Sequence, residues 1–301
     1  MGSGPLQVDQ LRRLCIKHPV TSLLFGANAE TPLAACVRSP WAYYHLSRAL
    51  AAGGNPASDY GNEALPSLRS LTIDPMQWDW GSWSGDGSQR GLEVPWTSDP
   101  VGLDAVASTG FGALLIGVAI FHPLSVSSTE TIISIGSRRE SVAGIENKRV
   151  ELKLNKSDRA NLTVWDDLGI QAAATINQPG VSASGPDAGP VALFVFIDNR
   201  PGGPQTASIH QYELGTANRV SKVQSIAALG SITGGATVDP DKVLSVGFSP
   251  DIGSATFRHY NGALRGLHVM NFGDKPPSDI DFVMDQLSRT AMMSGRFMVG
   301  L

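Results

Sequence analysis

Beyond about residue 39 the chain is a succession of short β-forming runs, each closed by Gly, Pro, Asn, Asp or Ser, with almost no long amphipathic helix among them. That rhythm leaves few architectures open. Nine runs stand out: Ala113–Phe121, Glu130–Gly136, Lys148–Leu154, Asn161–Trp165, Val191–Asp198, Thr206–Leu214, Val243–Phe248, Ala255–Tyr260 and Ala263–Phe272. Short strands at turn-punctuated spacing predict an all-β domain of two packed antiparallel sheets. In Lys148–Leu154 the residues Val150, Leu152 and Leu154 alternate with Arg149, Glu151 and Lys153, so one face should meet a core and the other water. Val191–Ile197 is nearly all apolar, which suits a central strand covered on both faces.

Both ends of the chain depart from the β pattern. Leu11, Leu14, Cys15 and His18 recur at helical spacing, with Asp9 placed to cap and Pro19 to stop a short helix; Val20–Arg38 then reads as a connecting arm. The expected organisation is therefore a helix and docking arm over 1–39 and a sandwich over 40–301. Near the other end Ile280, Val283, Met284 and Leu287 fall at i, i+3, i+4 and i+7 in Ser278–Leu287, a second short helix capped by Ser278 or Asp279. The segments 178–190 and 201–204 (PGGP) read as surface loops, and Trp78–Gly91 as an aromatic, glycine-rich loop.

Composition excludes several functions. With 23 Lys+Arg against 27 Asp+Glu the chain lacks the positive field that nucleic-acid binding normally requires. The most apolar run, Gly112–Phe121, is about half of the ~20 residues a membrane-crossing helix needs, so no membrane insertion is expected. Arg12, Arg13 and Lys17 interrupt the only apolar stretch near the start, and the expectation is a protein made in a cytoplasm and not exported by the usual route. Cys15 and Cys36 are too few for a disulfide framework; one bridge or two buried thiols are both open, the thiols being favoured.

Four pieces, read in order, carry a resemblance. Tyr43-Tyr44-His45-Leu46 is followed by Asp59-Tyr60-Gly61-Asn62, as an opening strand leads into an aspartate-rich turn; Ile132–Gly136 (IISIG) precedes an alternating VELKL strand; Leu244–Gly262 is similar to a hairpin ending in an Asn-Gly turn; and Gly262–Leu287 resembles a last strand, loop and short helix. Together they resemble the laminin-G-like, concanavalin A-like lectin/glucanase jelly roll, over about residues 40–290. The resemblance implies a two-sheet jelly roll. It hosts glycan-binding modules, glycosidases, lyases, adhesion modules and virion proteins, so the function must come from the site.

Enzymatic signatures are weak. No E-x-D-x-x-E strand supplies the paired carboxylates of a glycosidase, and Asp279 with Asp281 sits at a helix start, where capping explains acids. His210 and Tyr212 on one strand, with Arg258 and Tyr260 on another, are the nearest match to a lyase's Arg, His and Tyr, but the R-x-E-L and Q-x-H patterns are missing. Asp158, Asp166 and Asp167, or Asp59 with Asn62, could offer oxygens to calcium, although no D-x-D-x-D-G loop exists; Cys15 and His18 lack the second pair that zinc requires, and no other cofactor is expected. Asn155 and Asn161 match the glycosylation sequon, which reads as chance without an export signal.

The most unusual composition is Trp78, Trp80 and Trp83, with Trp96 downstream. Such a cluster could stack on sugar rings, meet a partner protein, or plug the core beneath a loop. A lectin-like sandwich without an export signal fits a phage-type virion protein, made in a host cytoplasm and displayed on a tail or capsid, as a homo-oligomer or part of a larger assembly. Leu11 and Leu14 would then dock the arm onto other virion proteins while the sandwich meets surface glycan or a neighbouring subunit. The alternative is a bacterial polysaccharide lyase, glycosidase or free lectin, at the cell surface or secreted by a non-classical route.

Overall fold

The computed structural model describes residues 41–44, 58–61, 69–70, 78–79, 82–84, 92–95, 112–122, 128–137, 148–157, 159–165, 171–176, 190–200, 202–214, 221–227, 229, 242–249 and 259–289. Among them lie sixteen strands and one helix. Short strands come first: β1 (Trp41–Tyr44), β2 (Ser58–Gly61), β3 (Arg69–Ser70), β4 (Trp78–Asp79), β5 (Ser82–Ser84) and β6 (Leu92–Pro95). The longer ones follow as β7 (Ala113–Phe121), β8 (Glu130–Ser137), β9 (Lys148–Leu154), β10 (Ala160–Trp165), β11 (Gln171–Thr175), β12 (Val191–Asp198), β13 (Thr206–Glu213), β14 (Ser221–Ile226), β15 (Lys242–Val246) and β16 (Ala263–Gly273). Helix α1 (Ile280–Arg289) closes the described chain.

One sheet runs β14-β13-β12-β7-β16-β1-β2, with β4 and β5 attached beside β16; the other runs β11-β10-β9-β8-β15-β6-β3. Every pairing among the described residues is antiparallel, which gives the two packed sheets that the strand rhythm predicts and the jelly-roll sandwich that the resemblance implies. The IISIG strand pairs with the VELKL strand as expected. Val191–Asp198 lies between β7 and β13, and all but one of its residues are buried.

The facing sides of the sheets enclose a core of Leu114, Ile116, Val118 and Ile120 from β7, Leu193, Val195 and Ile197 from β12, and Val150, Leu152, Leu162 and Val164 from the opposite sheet. A second apolar cluster covers the first sheet's outer face, where Ala192, Phe194, Tyr212, Met270 and Phe272 receive Val283, Met284 and Leu287 of α1. β7 and β12 are therefore apolar at consecutive positions: each serves two cores. In β16 the register slips between Arg265 and Leu267, and Gly266 at φ +60 supplies the left-handed residue a bulge of this kind uses. The slip brings Leu264 and Leu267 into the same inner core although they are an odd number of residues apart.

Four expectations need correction. Asp59–Gly61 belongs to strand β2, which pairs with β1, and is not a turn. Trp78–Asp79 and Ser82–Ser84 pair as antiparallel strands where a loop is expected. Val243–Phe248 ends as a strand at Val246, and His259-Tyr260 are not strand residues, while 250–258 lie outside the described residues. Glu151 does not face water: it is 1% exposed, and its carboxylate accepts from Thr131 Oγ1 (3.1 Å) and Lys153 Nζ (3.0 Å). A carboxylate with a cation and a hydroxyl in place can leave water, whereas an isolated one could not.

Candidate functional site

The lyase-like residues do not come together. His210 and Tyr212 stand on the outer face of the first sheet, beneath α1. The His210 Nε2 lies 2.8 Å from Ser208 Oγ and its Nδ1 lies 3.5 Å from Asp281 Oδ1, while Tyr212 donates to the Asp281 carbonyl (3.5 Å). Burial pushes the His210 imidazole down to about 4 against a smaller opposing pull from Asp281, so the ring is neutral near pH 7. Tyr260 belongs to the other core, between the sheets, and donates to the Phe121 carbonyl (3.1 Å). Burial raises this phenol well above its ordinary value. Arg258 lies outside the described residues. Two faces of one sheet separate His210 and Tyr212 from Tyr260, and a single substrate cannot touch both sets.

Other buried ionisable groups are held in structural bonds. His122 meets Glu130 at 3.0 Å, and the same carboxylate oxygen accepts from the Asn261 amide at 2.9 Å, joining the ends of β7, β8 and β16. Asp279, read as a cap, accepts from the Phe282 amide at 2.9 Å. Asn155 Oδ1 accepts from the Ser157 and Arg159 amides, and Asn161 Nδ2 donates to Thr175 Oγ1, so both sequon asparagines have work within the fold. Among the described residues no group of three or more His, Cys, Asp or Glu is placed to hold a metal ion. Of the calcium candidates, Asp59 is placed on β2, while Asn62, Asp158, Asp166 and Asp167 lie outside the described residues. Leu11, Leu14, Cys15, His18, Cys36, Trp80 and Trp96 lie outside them too.

Trp78 and Trp83 face each other across the β4–β5 pair, and β5 continues onto β16 with Trp83 opposite Leu264. Leu264 in turn stands opposite Ile120, and Ile120 opposite Val191. Leu264, Ile120 and Val191 belong to the core between the sheets. The register thus places Trp78, Trp83, Leu264, Ile120 and Val191 in one cross-strand row.

At the opposite end of the same strands, the segment expected only as a surface loop borders a cleft. The register puts Asp198 and Gly273 on either side of Ala113. The backbones close tightly here, since a Cβ on Gly112 would lie 2.6 Å from the Gly273 carbonyl oxygen. Buried Asp198 takes Arg200 as a fork, Nε to Oδ1 and Nη2 to Oδ2, both at 2.7 Å, and Arg200 Nη1 reaches the Asp274 carbonyl at 3.2 Å. The carboxylate bond raises the guanidinium pKa further. Arg200, Gly202, Gly203, Pro204 and Asp274 line an open cleft of about 600 Å³. No local motif announces it, because Asp198 and Asp274 are distant in sequence and meet only through register.

No protein-family model and no curated protein matches the chain. Solved structures do. A binding domain of botulinum neurotoxin DC in complex with SialylT superposes with a TM-score of 0.50 at 8% identity, over 83% of this chain and 52% of that one. The binding domain of botulinum neurotoxin serotype D/C VPI 5993 gives 0.50 at 12% identity, over 84% and 53%. The CBM40 domain of a Ruminococcus gnavus IT-sialidase, bound to α2,3 sialyllactose, gives 0.44 at 10% identity, over 68% and 97%. The chain spans about half the length of the neurotoxin domains it matches. At such identities the likeness is one of fold alone: two antiparallel sheets packed as a β-sandwich.

Proposed function

We propose that the chain is a non-enzymatic, lectin-like adhesion module that binds surface glycan. The reading is supported most by one observation: a sandwich similar in fold to a binding domain solved with SialylT holds its candidate catalytic His210, Tyr212 and Tyr260 in buried structural roles on different faces. In this proposal Trp78, Trp80, Trp83 and Trp96 form the stacking surface, residues 1–39 dock through Leu11 and Leu14 onto a phage tail or capsid, and the protein is carried on a virion assembled in a host cytoplasm.

The test is a glycan and bacterial-polysaccharide array probed with the full chain, with Trp80→Ala and Trp83→Ala beside it and circular dichroism on each. Retained fold with lost binding is the expected result. Because position 83 shares the row of Leu264 and Ile120, a Trp83→Ala protein that unfolds instead would give that side chain to packing. An array blank for the folded wild-type chain, with and without calcium, would reject glycan binding.

A further inference from the structure

We infer that the cleft between the β12–β13 turn and the end of β16 is a subsite for an uncharged pyranose, bound through neighbouring hydroxyls by the Arg200 guanidinium and the Asp274 carboxylate. The assignment rests on the glycan-binding reading above and adds a site to it. A guanidinium carries five N–H groups. Three donate to Asp198 and the Asp274 carbonyl, which leaves two for a ligand on a group already fixed in orientation. The Asp198 fork and the Asp274 contact hold that orientation before any ligand arrives, so little side-chain entropy is lost on binding.

Acceptors are supplied next to the donors. The exposed Asp274 side chain lines the cleft and makes no hydrogen bond among the described residues. Vicinal sugar hydroxyls each give and accept, and a donor beside an acceptor matches them. Gly202, Gly203 and Pro204 present backbone and ring C–H surface with no bulky side chain, the kind of floor a sugar ring can lie against; a Cβ at Gly202 would meet nothing within 4 Å. A volume of about 600 Å³ falls within the ~300–1,000 Å³ of small-ligand clefts. Next in the chain after Pro204, Gln205 holds φ +46, rare for a residue with a side chain, and is tied by the Leu229 amide donating to its carbonyl at 2.8 Å.

Charge selects the ligand class. One guanidinium faces two carboxylates, Asp198 and Asp274, and Lys275, the next residue, does not line the cleft. An acidic sugar would bring a third carboxylate to that balance, whereas a neutral ring adds none. The cleft therefore favours neutral hexoses over sialic or uronic acids.

The experiment titrates the full chain, by saturation-transfer NMR, with the methyl pyranosides of glucose, mannose and galactose and with N-acetylneuraminic and glucuronic acids. Asp274→Ala and Arg200→Gln are compared with Lys156→Ala, a change at an exposed turn residue that does not line the cleft. At least one neutral glycoside is expected to bind, with about tenfold or greater weakening in Asp274→Ala, the loss of one charged hydrogen bond, and no change in Lys156→Ala. Arg200→Gln is read only if its circular dichroism matches wild type; Asp274→Ala alters an exposed side chain and decides alone otherwise. Neutral binding untouched by Asp274→Ala would overturn the subsite and leave the glycan reading standing. Tighter binding of either acid would overturn the charge argument and with it the assignment. A chain that binds neither these sugars nor any array glycan would overturn both.

Discussion

His210 and His268 are 3% and 0% exposed, and burial holds their imidazoles down to about 4 and about 3. In the unfolded chain each titrates near ~6.5. Between the two values the unfolded state binds more protons, so stability rises with pH: it is complete above ~6.5 and is lost as pH falls toward the folded values. Asp281 faces His210 and tempers its share; Ser208 on the same strand is neutral. The loss expected by pH 5 is on the order of 2 kcal/mol for each imidazole. Urea unfolding followed by tryptophan fluorescence from pH 8 to 5 checks this, with His210→Gln removing part of the slope. A flat profile would mean that water reaches both rings. Neither burial was legible in the sequence, which places His210 beside Tyr212 on a strand and says nothing of what covers that face. What buries it is α1, which follows some 70 residues later and crosses that face.

Helix α1 shows how an element is specified twice over. Its apolar spacing was readable, and so was its cap; the helix begins at Ile280, just after Asp279, because the Asp279 carboxylate bonds the Phe282 amide from outside the first turn. Its end runs two residues past the expected Leu287, to Arg289, whose guanidinium takes both Asp285 oxygens at 2.8 and 2.9 Å across one turn. Cap and packing should separate in unfolding measurements. Asp279→Ala is expected to cost about 1 kcal/mol, and Leu287→Ala, which empties a fully buried site against the sheet, about 2–5 kcal/mol. Equal costs would show that the helix is held by its cap rather than its face. The strands divide by the same physics. Long apolar or alternating runs such as Ala113–Phe121 and Lys148–Leu154 were legible because cores select them. The strands Gln171–Thr175 and Ser221–Ile226 were not, for they are sheet edges with one neighbour each, and Val223, Gln224 and Ser225 are exposed and carry no alternation. The bulge at Gly266 hides the inner-face pattern of β16 in the same way, by changing which residues share a face.

Across the molecule, the arrangement of sheets was readable and the cleft was not, since register alone joins Arg200 to Asp274. The expected division at residue 39 leads to the widest prediction. Every described member of both apolar clusters lies between residues 113 and 287, and each cluster is closed by strands of the sandwich or by α1. If the first 39 residues serve docking, charges placed on their apolar stripe should disturb assembly without disturbing those clusters. Full-length Leu11→Asp/Leu14→Asp is therefore expected to keep the wild-type urea midpoint to within about 1 kcal/mol, as for surface changes away from a core. If the docking role holds, wild type should self-associate or enter particles in sedimentation and the double variant should not, because two buried carboxylates in an apolar contact each carry a large desolvation cost. A double variant that assembles normally would remove the docking role from Leu11 and Leu14. One that unfolds with the sandwich would make residues 1–39 part of the same cooperative unit, and the boundary near residue 39 would then divide nothing.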